Sequence, residues 1–228
     1  MSRYHGAVPS PFLRVLLLQL ALFVAGPLLS SARVGAVLAD AGVCLMLAFA
    51  YQASDCRPAT KRVAWAVAFV LFAAYAGAAW GRVDTAGLVA TLLSVVFVAG
   101  AGIVVLRTVL RSTRVDRAEV YGAVCFYLML GIWWATAYAF FDRLDLQPAA
   151  FSRDLISAGE PYPAGGGAFG ELLYFSYVTL TTVGYGDLVP THPITRNLAV
   201  FEAITGQLYI AILLARLVSL RTGNNPQR

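Results

Sequence analysis

The sequence predicts an all-α membrane protein with six transmembrane helices. Of its 228 residues, 59% are hydrophobic and only 13% are charged, a balance typical of multi-span membrane proteins and rare in soluble domains. The apolar residues fall into six runs, each near the 20 residues that a helix needs to cross a bilayer. Basic residues lie mainly in alternate loops between those runs, as the positive-inside rule requires.

The first four runs predict a four-helix membrane domain over residues 1–118. They cover approximately residues 12–30, 34–52, 63–80 and 86–106. The first run allows two interpretations, because its basic start and the small residues at 30–32 are typical of a cleaved signal peptide. Its length and the polar Gln19 within it favour a retained helix. Cys44 and Cys125 lie inside apolar runs and are expected to be small buried side chains rather than disulfide partners.

A glycine-containing motif lies between the fifth and sixth runs. Residues 180–187 read LTTVGYGD. A dehydrated cation needs oxygen ligands, and backbone carbonyls can supply them if several in a row point to one side. In a strand they alternate, but glycine accepts positive φ at little cost. Gly184 and Gly186 at alternate positions would therefore turn the carbonyls one way, with Val183 and Tyr185 packing outward against the protein.

This motif and the residues ELLYFSYVTL before it resemble the potassium-channel pore family, over approximately residues 119–221. The resemblance implies a pore domain over 119–228, in which a re-entrant pore helix and a selectivity filter separate the fifth and sixth spans. The implied elements are an outer helix at 119–141, a pore helix at 168–181, a filter at 182–186 and an inner helix at 193–220.

The resemblance also assigns roles to single residues. Potassium ions would be coordinated at Thr182, Val183, Gly184 and Tyr185, with Gly186 completing the filter. Tyr174, Thr181 and Asp187 would support the filter, Tyr174 through a hydrogen bond to Asp187. Val178 departs from the carboxylate that some relatives carry at this position.

The inner helix would line the pore. Gln207, Ile210, Leu214 and Val218 recur at spacings of three and four, so they share one helix face, which we assign to the cavity. Alternatively, Gln207 bonds a neighbouring helix. Gly206 lies where the family places a hinge glycine, although it would equally allow close helix packing.

The charges near the fourth run bear on voltage sensing. The run itself carries no arginine, and four arginines follow it, at Arg107, Arg111, Arg114 and Arg117. We interpret these as a basic linker helix at the lipid head groups, at the end of the four-helix domain. Steep voltage gating needs several charges within the membrane field, so it is not expected.

The sequence thus predicts a passive, potassium-selective channel that assembles as a homotetramer in the cell membrane. Its expected partners are potassium ions and membrane lipids, with no nucleic acid and no cofactor, and both termini are expected in the cytoplasm. The polar loop at 142–170 is expected to be a flexible outer loop. Only eight residues follow Leu220, so no cytoplasmic ligand-binding domain is expected within this sequence.

Three other functions were weighed against this one. A non-selective cation channel and a non-conducting membrane subunit on a pore-like scaffold both stay open. An enzyme is not expected, because His5 and His192 have no nucleophile or metal-binding group near them in the sequence.

Overall fold

The computed structural model describes residues 11–29, 33–54, 56–80, 84–111, 117–144, 146–152 and 167–223. Within these ranges the chain is helical, apart from loops and one isolated β-bridge between Phe151 and Pro190. The helices are α1 (Pro11–Leu29), α2 (Arg33–Ala53), α3 (Pro58–Trp80), α4 (Asp84–Arg111), α5 (Arg117–Asp142), α6 (Gly167–Leu180) and α7 (Pro193–Gly223).

Three of the described helices are long and apolar enough to cross a membrane. These spans are Gly87–Arg111 in α4, Ala118–Asp142 in α5 and Pro193–Ser219 in α7. Shorter apolar segments occur at Pro11–Ala25 in α1 and Ala41–Ala53 in α2. The all-helical class and the membrane character are therefore confirmed, whereas the layout of six spans stays a prediction.

Helix α4 extends further than its apolar run. It continues to Arg111, so Arg107 and Arg111 lie in its last turns and not in a separate linker helix. The reason is that Val105 and Val109, one turn apart, are both buried and keep this end of α4 packed. Arg114 falls outside the described residues, and Arg117 begins α5.

Helix α5 is the centre of the packing. Helices α1, α4, α6 and α7 all contact it, and α1 to α4 pack in chain order beside it. Gln19 of α1 is buried and donates a hydrogen bond to the Cys125 carbonyl of α5, at 3.3 Å. Cys44 and Cys125 are both buried among apolar side chains, as the sequence predicts.

A second core lies between α5, α6 and the loop after α5. Tyr138, Phe151 and Phe175 meet there, with ring centroids 5.1–5.6 Å apart. Phe151 is only 2% exposed, although it belongs to the loop that was predicted to be flexible. Backbone hydrogen bonds join Ser152 to Val189 and Thr191 to the Ala150 carbonyl, at 2.9 and 3.0 Å.

The described start of that loop is thus ordered core, because an aromatic side chain in it fills the space beside the end of α5. Residues 153–166 lie outside the described ranges.

Candidate cation-binding loop

The motif begins directly at the C-terminal end of α6. The amide of Thr182 donates to the Thr179 carbonyl at 2.9 Å, and those of Val183 and Gly184 donate to the Val178 carbonyl at 2.9 and 3.2 Å. Thr181 Oγ1 donates to the Tyr177 carbonyl at 2.6 Å, one turn back on α6. These bonds hold the loop at the end of α6 that carries partial negative charge, which favours a nearby cation.

The backbone φ angles of the loop alternate in sign. Positive φ occurs at Thr182 (59°), Gly184 (60°) and Gly186 (79°), and the residues between them have ordinary negative φ. Such alternation turns successive peptide planes so that their carbonyls point to one side, unlike those of a strand. The geometry therefore has the form that the alternate glycines predicted.

Thr182 is the member of this series that sequence reasoning did not place in the left-handed region. A β-branched residue with positive φ is a genuine outlier, and such strain tends to lie at functional sites. The signal was present in the register, because Thr182 precedes Gly184 by the same two residues that separate the glycines.

The side chains of the loop are open to the surroundings of the single chain. Val183 is 52% exposed and Tyr185 is 72% exposed, so the expected packing of both against protein is not made within one chain. Tyr185 does stack on Tyr174 of α6, with ring centroids 6.4 Å apart and 5° between the planes. The Tyr174 hydroxyl also hydrogen-bonds the Asp187 carboxylate, which is the contact expected for filter support; that role stays a prediction.

Gly206 of α7 packs against the end of α6. A Cβ built on Gly206 would lie less than 3 Å from both the carbonyl oxygen and a side-chain carbon of Leu180. The missing side chain therefore allows α7 to approach the start of the loop. Helix α7 continues unbroken through this position, so the geometry supports the close-packing alternative, and a hinge stays a prediction about motion.

Gln207 lies at the inner end of the loop. Its Nε2 donates to Thr182 Oγ1 at 3.4 Å, so Gln207 contacts the loop within the chain, and both interpretations of its role stay predictions. The other residues assigned to the cavity, which are Ile210, Leu214 and Val218, are each about half exposed in the chain. The structure thus brings Gln207 to the loop and leaves the face below it uncovered.

Hydroxyl groups attach α6 to α5. Tyr177 of α6 donates to the Leu128 carbonyl at 2.8 Å, and Tyr127 of α5 donates to the Leu180 carbonyl at 3.3 Å. Gly131 leaves room for the Tyr177 ring, which a Cβ would overlap. Helix α6 is therefore hydrogen-bonded to α5 at several points along its length.

A buried polar cluster behind the loop was missed by sequence reasoning. Glu202 of α7 contacts Tyr138 of α5 and Ser176 of α6, and Ser176 and Glu202 are both 0% exposed. A signal existed, because Glu202 is an acidic residue within an apolar run, and such residues in membrane segments usually have a role.

Comparisons with known proteins agree with this geometry. Residues 124–222 match the ion channel family. Two-pore potassium channel 4 of Arabidopsis thaliana is 40% identical over 70 residues, which are 31% of this chain and 23% of the relative. The inward rectifier potassium channel Kirbac3.1 of Paramagnetospirillum magnetotacticum is 39% identical over 46 residues, 20% of this chain and 16% of the relative.

Two-pore potassium channel 1 of Arabidopsis thaliana is 48% identical over 46 residues, 20% of this chain and 13% of the relative. The chain thus spans less than a quarter of the length of these curated relatives. The predicted potassium-channel family is thus supported by the ion channel match over residues 124–222 and by the names of these relatives.

Proposed function

We propose that this chain, whose residues 124–222 match the ion channel family, forms a potassium-selective channel. Potassium ions would pass through it down their electrochemical gradient. The observation that carries this proposal is the alternating backbone of the loop, with positive φ at Thr182, Gly184 and Gly186.

The carbonyls of Thr182, Val183, Gly184 and Tyr185 are the proposed potassium ligands, replacing the water that the ion loses. The Thr182 hydroxyl faces Gln207 and would meet the ion at the inner end. Tyr174 and Asp187 would hold the outer end through their hydrogen bond and through the stacking of Tyr174 on Tyr185.

The functional unit is proposed to be a homotetramer. One loop offers oxygens from one side only, whereas four copies around an axis surround an ion. The exposure of Tyr185 and Val183 supports this, because such apolar surface is normally covered. Helix α7 supports it too. Only 11% of the most apolar 18-residue stretch of α7 is buried within the chain, against 56% of the corresponding stretch of α5.

The remaining helices would complete a six-span membrane domain in contact with lipid. Apolar side chains exposed on three of them support this, for example Val24 of α1, Phe69 of α3 and Val96 of α4. The loop charges favour cytoplasmic termini. Voltage gating would not be steep, because α4 carries no basic residue before Arg107.

The test is ion flux from the purified chain in liposomes. We expect potassium flux that barium blocks, and a reversal potential in mixed potassium and sodium that follows the potassium gradient. A reversal potential that follows both ions would indicate a non-selective cation channel. No flux from correctly assembled protein would indicate a non-conducting subunit and would contradict the proposal.

A further inference from the structure

Glu202 is a buried acid that the filter chemistry does not use. It lies in α7, between the start of the helix and Gly206, and its side chain is 0% exposed. An ionised carboxylate in such a place is costly unless a cation pairs with it. In the described part of the chain its partners are two hydroxyl groups, those of Tyr138 and Ser176, and no cationic side chain.

The cluster contains three short contacts. Tyr138 Oη lies 2.6 Å from Glu202 Oε2, and Ser176 Oγ lies 2.5 Å from Glu202 Oε1. Ser176 Oγ also lies 2.8 Å from the Gly131 carbonyl oxygen. These contacts join the outer helix α5, the pore helix α6 and the inner helix α7 at one point.

Counting hydrogens decides the state of the acid. With a separate hydrogen for each contact, as their short distances favour over one hydrogen shared by Ser176, three hydrogens are needed, and the hydroxyls of Tyr138 and Ser176 supply two. A carbonyl oxygen cannot donate, so the Ser176 hydrogen belongs to the Gly131 contact. The Tyr138 hydrogen belongs to Glu202 Oε2. The hydrogen between Ser176 and Glu202 must therefore be on Glu202.

We propose that Glu202 is a protonated carboxylic acid whose proton holds the pore helix in position, so that its loss at alkaline pH lowers conduction. The second part rests on the proposed channel function. If Glu202 loses its proton, Ser176 must donate either to the carboxylate or to Gly131. In the first case the bond from Ser176 to Gly131 of α5 is lost, and in the second the bond between Ser176 and Glu202 of α7 is lost.

Ser176 lies on α6, two turns before the loop, and the loop amides are bonded to the end of the same helix. A shift of α6 is therefore passed to the loop directly. Glu202 does not touch the ion path, so it is a positioning residue and acts through Ser176.

Among the described residues, the other titratable groups that interact with Glu202 are tyrosines of α5. On α5 these are Tyr138 and Tyr127, which is near enough to interact with its charge and donates its hydroxyl to Leu180. On α6, Tyr177 turns to Leu128 and Tyr174 turns to Asp187. None of these groups supplies a positive charge that would stabilise a carboxylate at neutral pH.

The protonation state is testable by infrared spectroscopy of the protein in liposomes. We expect the wild-type protein at neutral pH to show the carbonyl band of a protonated acid, and Glu202→Gln to lack it. The band should disappear as the pH rises. If Glu202→Gln does not assemble, Tyr138→Phe serves instead, because removing the Tyr138 hydrogen bond should shift the same band.

The functional part is tested by potassium flux across pH. Above the pH at which Glu202 loses its proton, wild-type flux should fall by about tenfold per pH unit. Glu202→Gln should keep its neutral-pH flux when the pH rises, because its amide donates to Ser176 and its oxygen accepts from Tyr138, as the neutral acid does. Glu171→Gln, in α6 but outside the cluster, is the matched control and should follow the wild type.

Two results would overturn this inference: no acid band at neutral pH, or the same pH profile for the wild type and Glu202→Gln. Absence of wild-type flux at every pH would instead contradict the proposed channel function, and the band would still report the state of Glu202.

Discussion

Two positions at and near the loop require glycine for different physical reasons. Gly184 has a φ of +60° with open space around the place of a Cβ, whereas Gly206 has ordinary helical geometry and no space for one. A side chain at Gly184 would therefore act through backbone strain, and a side chain at Gly206 through overlap. The two positions can be separated by the same substitution.

Gly184→Ala should abolish potassium flux while the protein still assembles. An L-residue held in the left-handed region costs about 1–2 kcal/mol, so the loop is expected to turn its peptide planes and lose its row of carbonyls. Flux assays and gel filtration would measure the two effects. The matched control is Gly170→Ala in α6, where a Cβ also meets nothing within 4 Å and φ is not positive. Equal flux from both variants would contradict the loop geometry.

Gly206→Ala should destabilise the protein as well as reduce flux. Its Cβ would overlap the backbone oxygen of Leu180, which cannot rotate away, and overpacking of this kind costs about 1–3 kcal/mol. Thermal unfolding of the purified protein would measure the loss. A variant with unchanged stability would show that α7 moves aside easily, which would favour the hinge role for Gly206.

At the scale of elements, α7 is held to α5 near the N-terminal end of α5. Glu119 at the start of α5 forms an ion pair with Arg216 of α7 at 3.0 Å, and their side chains are 1% and 16% exposed. Tyr209 of α7 donates to the Ala123 carbonyl of α5 at 2.7 Å, one turn after Glu119 on α5 and two turns before Arg216 on α7. These contacts couple the C-terminal half of α7 to the N-terminal part of α5.

Arg216→Met should cost up to about 3–5 kcal/mol of stability, because it removes the Arg216 cation from the buried carboxylate of Glu119. The control is Arg196→Met on the same helix, where the side chain is exposed and the expected change is about 0–1 kcal/mol. Denaturation of both variants would measure the difference. Equal losses would mean that water reaches Glu119 and screens its charge.

At the scale of the whole molecule, the single chain leaves its cation-binding loop uncovered. A homotetramer would cover Tyr185 and Val183 and would place four loops around one axis. Co-expression of equal amounts of wild type and Gly184→Ala tests this. If one defective loop blocks the assembly, flux should fall to about one-sixteenth of the wild-type value. A fall to about one half would indicate that each chain conducts by itself.

The sequence by itself determined the helical membrane class, the place of the motif and its alternate glycines. These features depend on local chemistry: apolar runs need a bilayer or a core, and positive φ needs glycine. Helices α5, α6 and α7 cover nearly the same residues as the helices predicted at 119–141, 168–181 and 193–220, whereas their roles in a pore stay predictions.

Only the tertiary structure decided which distant groups meet. Along the chain, Glu202 lies 26 residues from Ser176 and 64 residues from Tyr138. No local sequence pattern therefore connects the three residues. The burial of Phe151 in the core and the close approach of Gly206 to the Leu180 carbonyl also depend on tertiary packing. Such contacts depend on how the helices pack against each other. The distances between helices cannot be read from the spacing of residues along one helix.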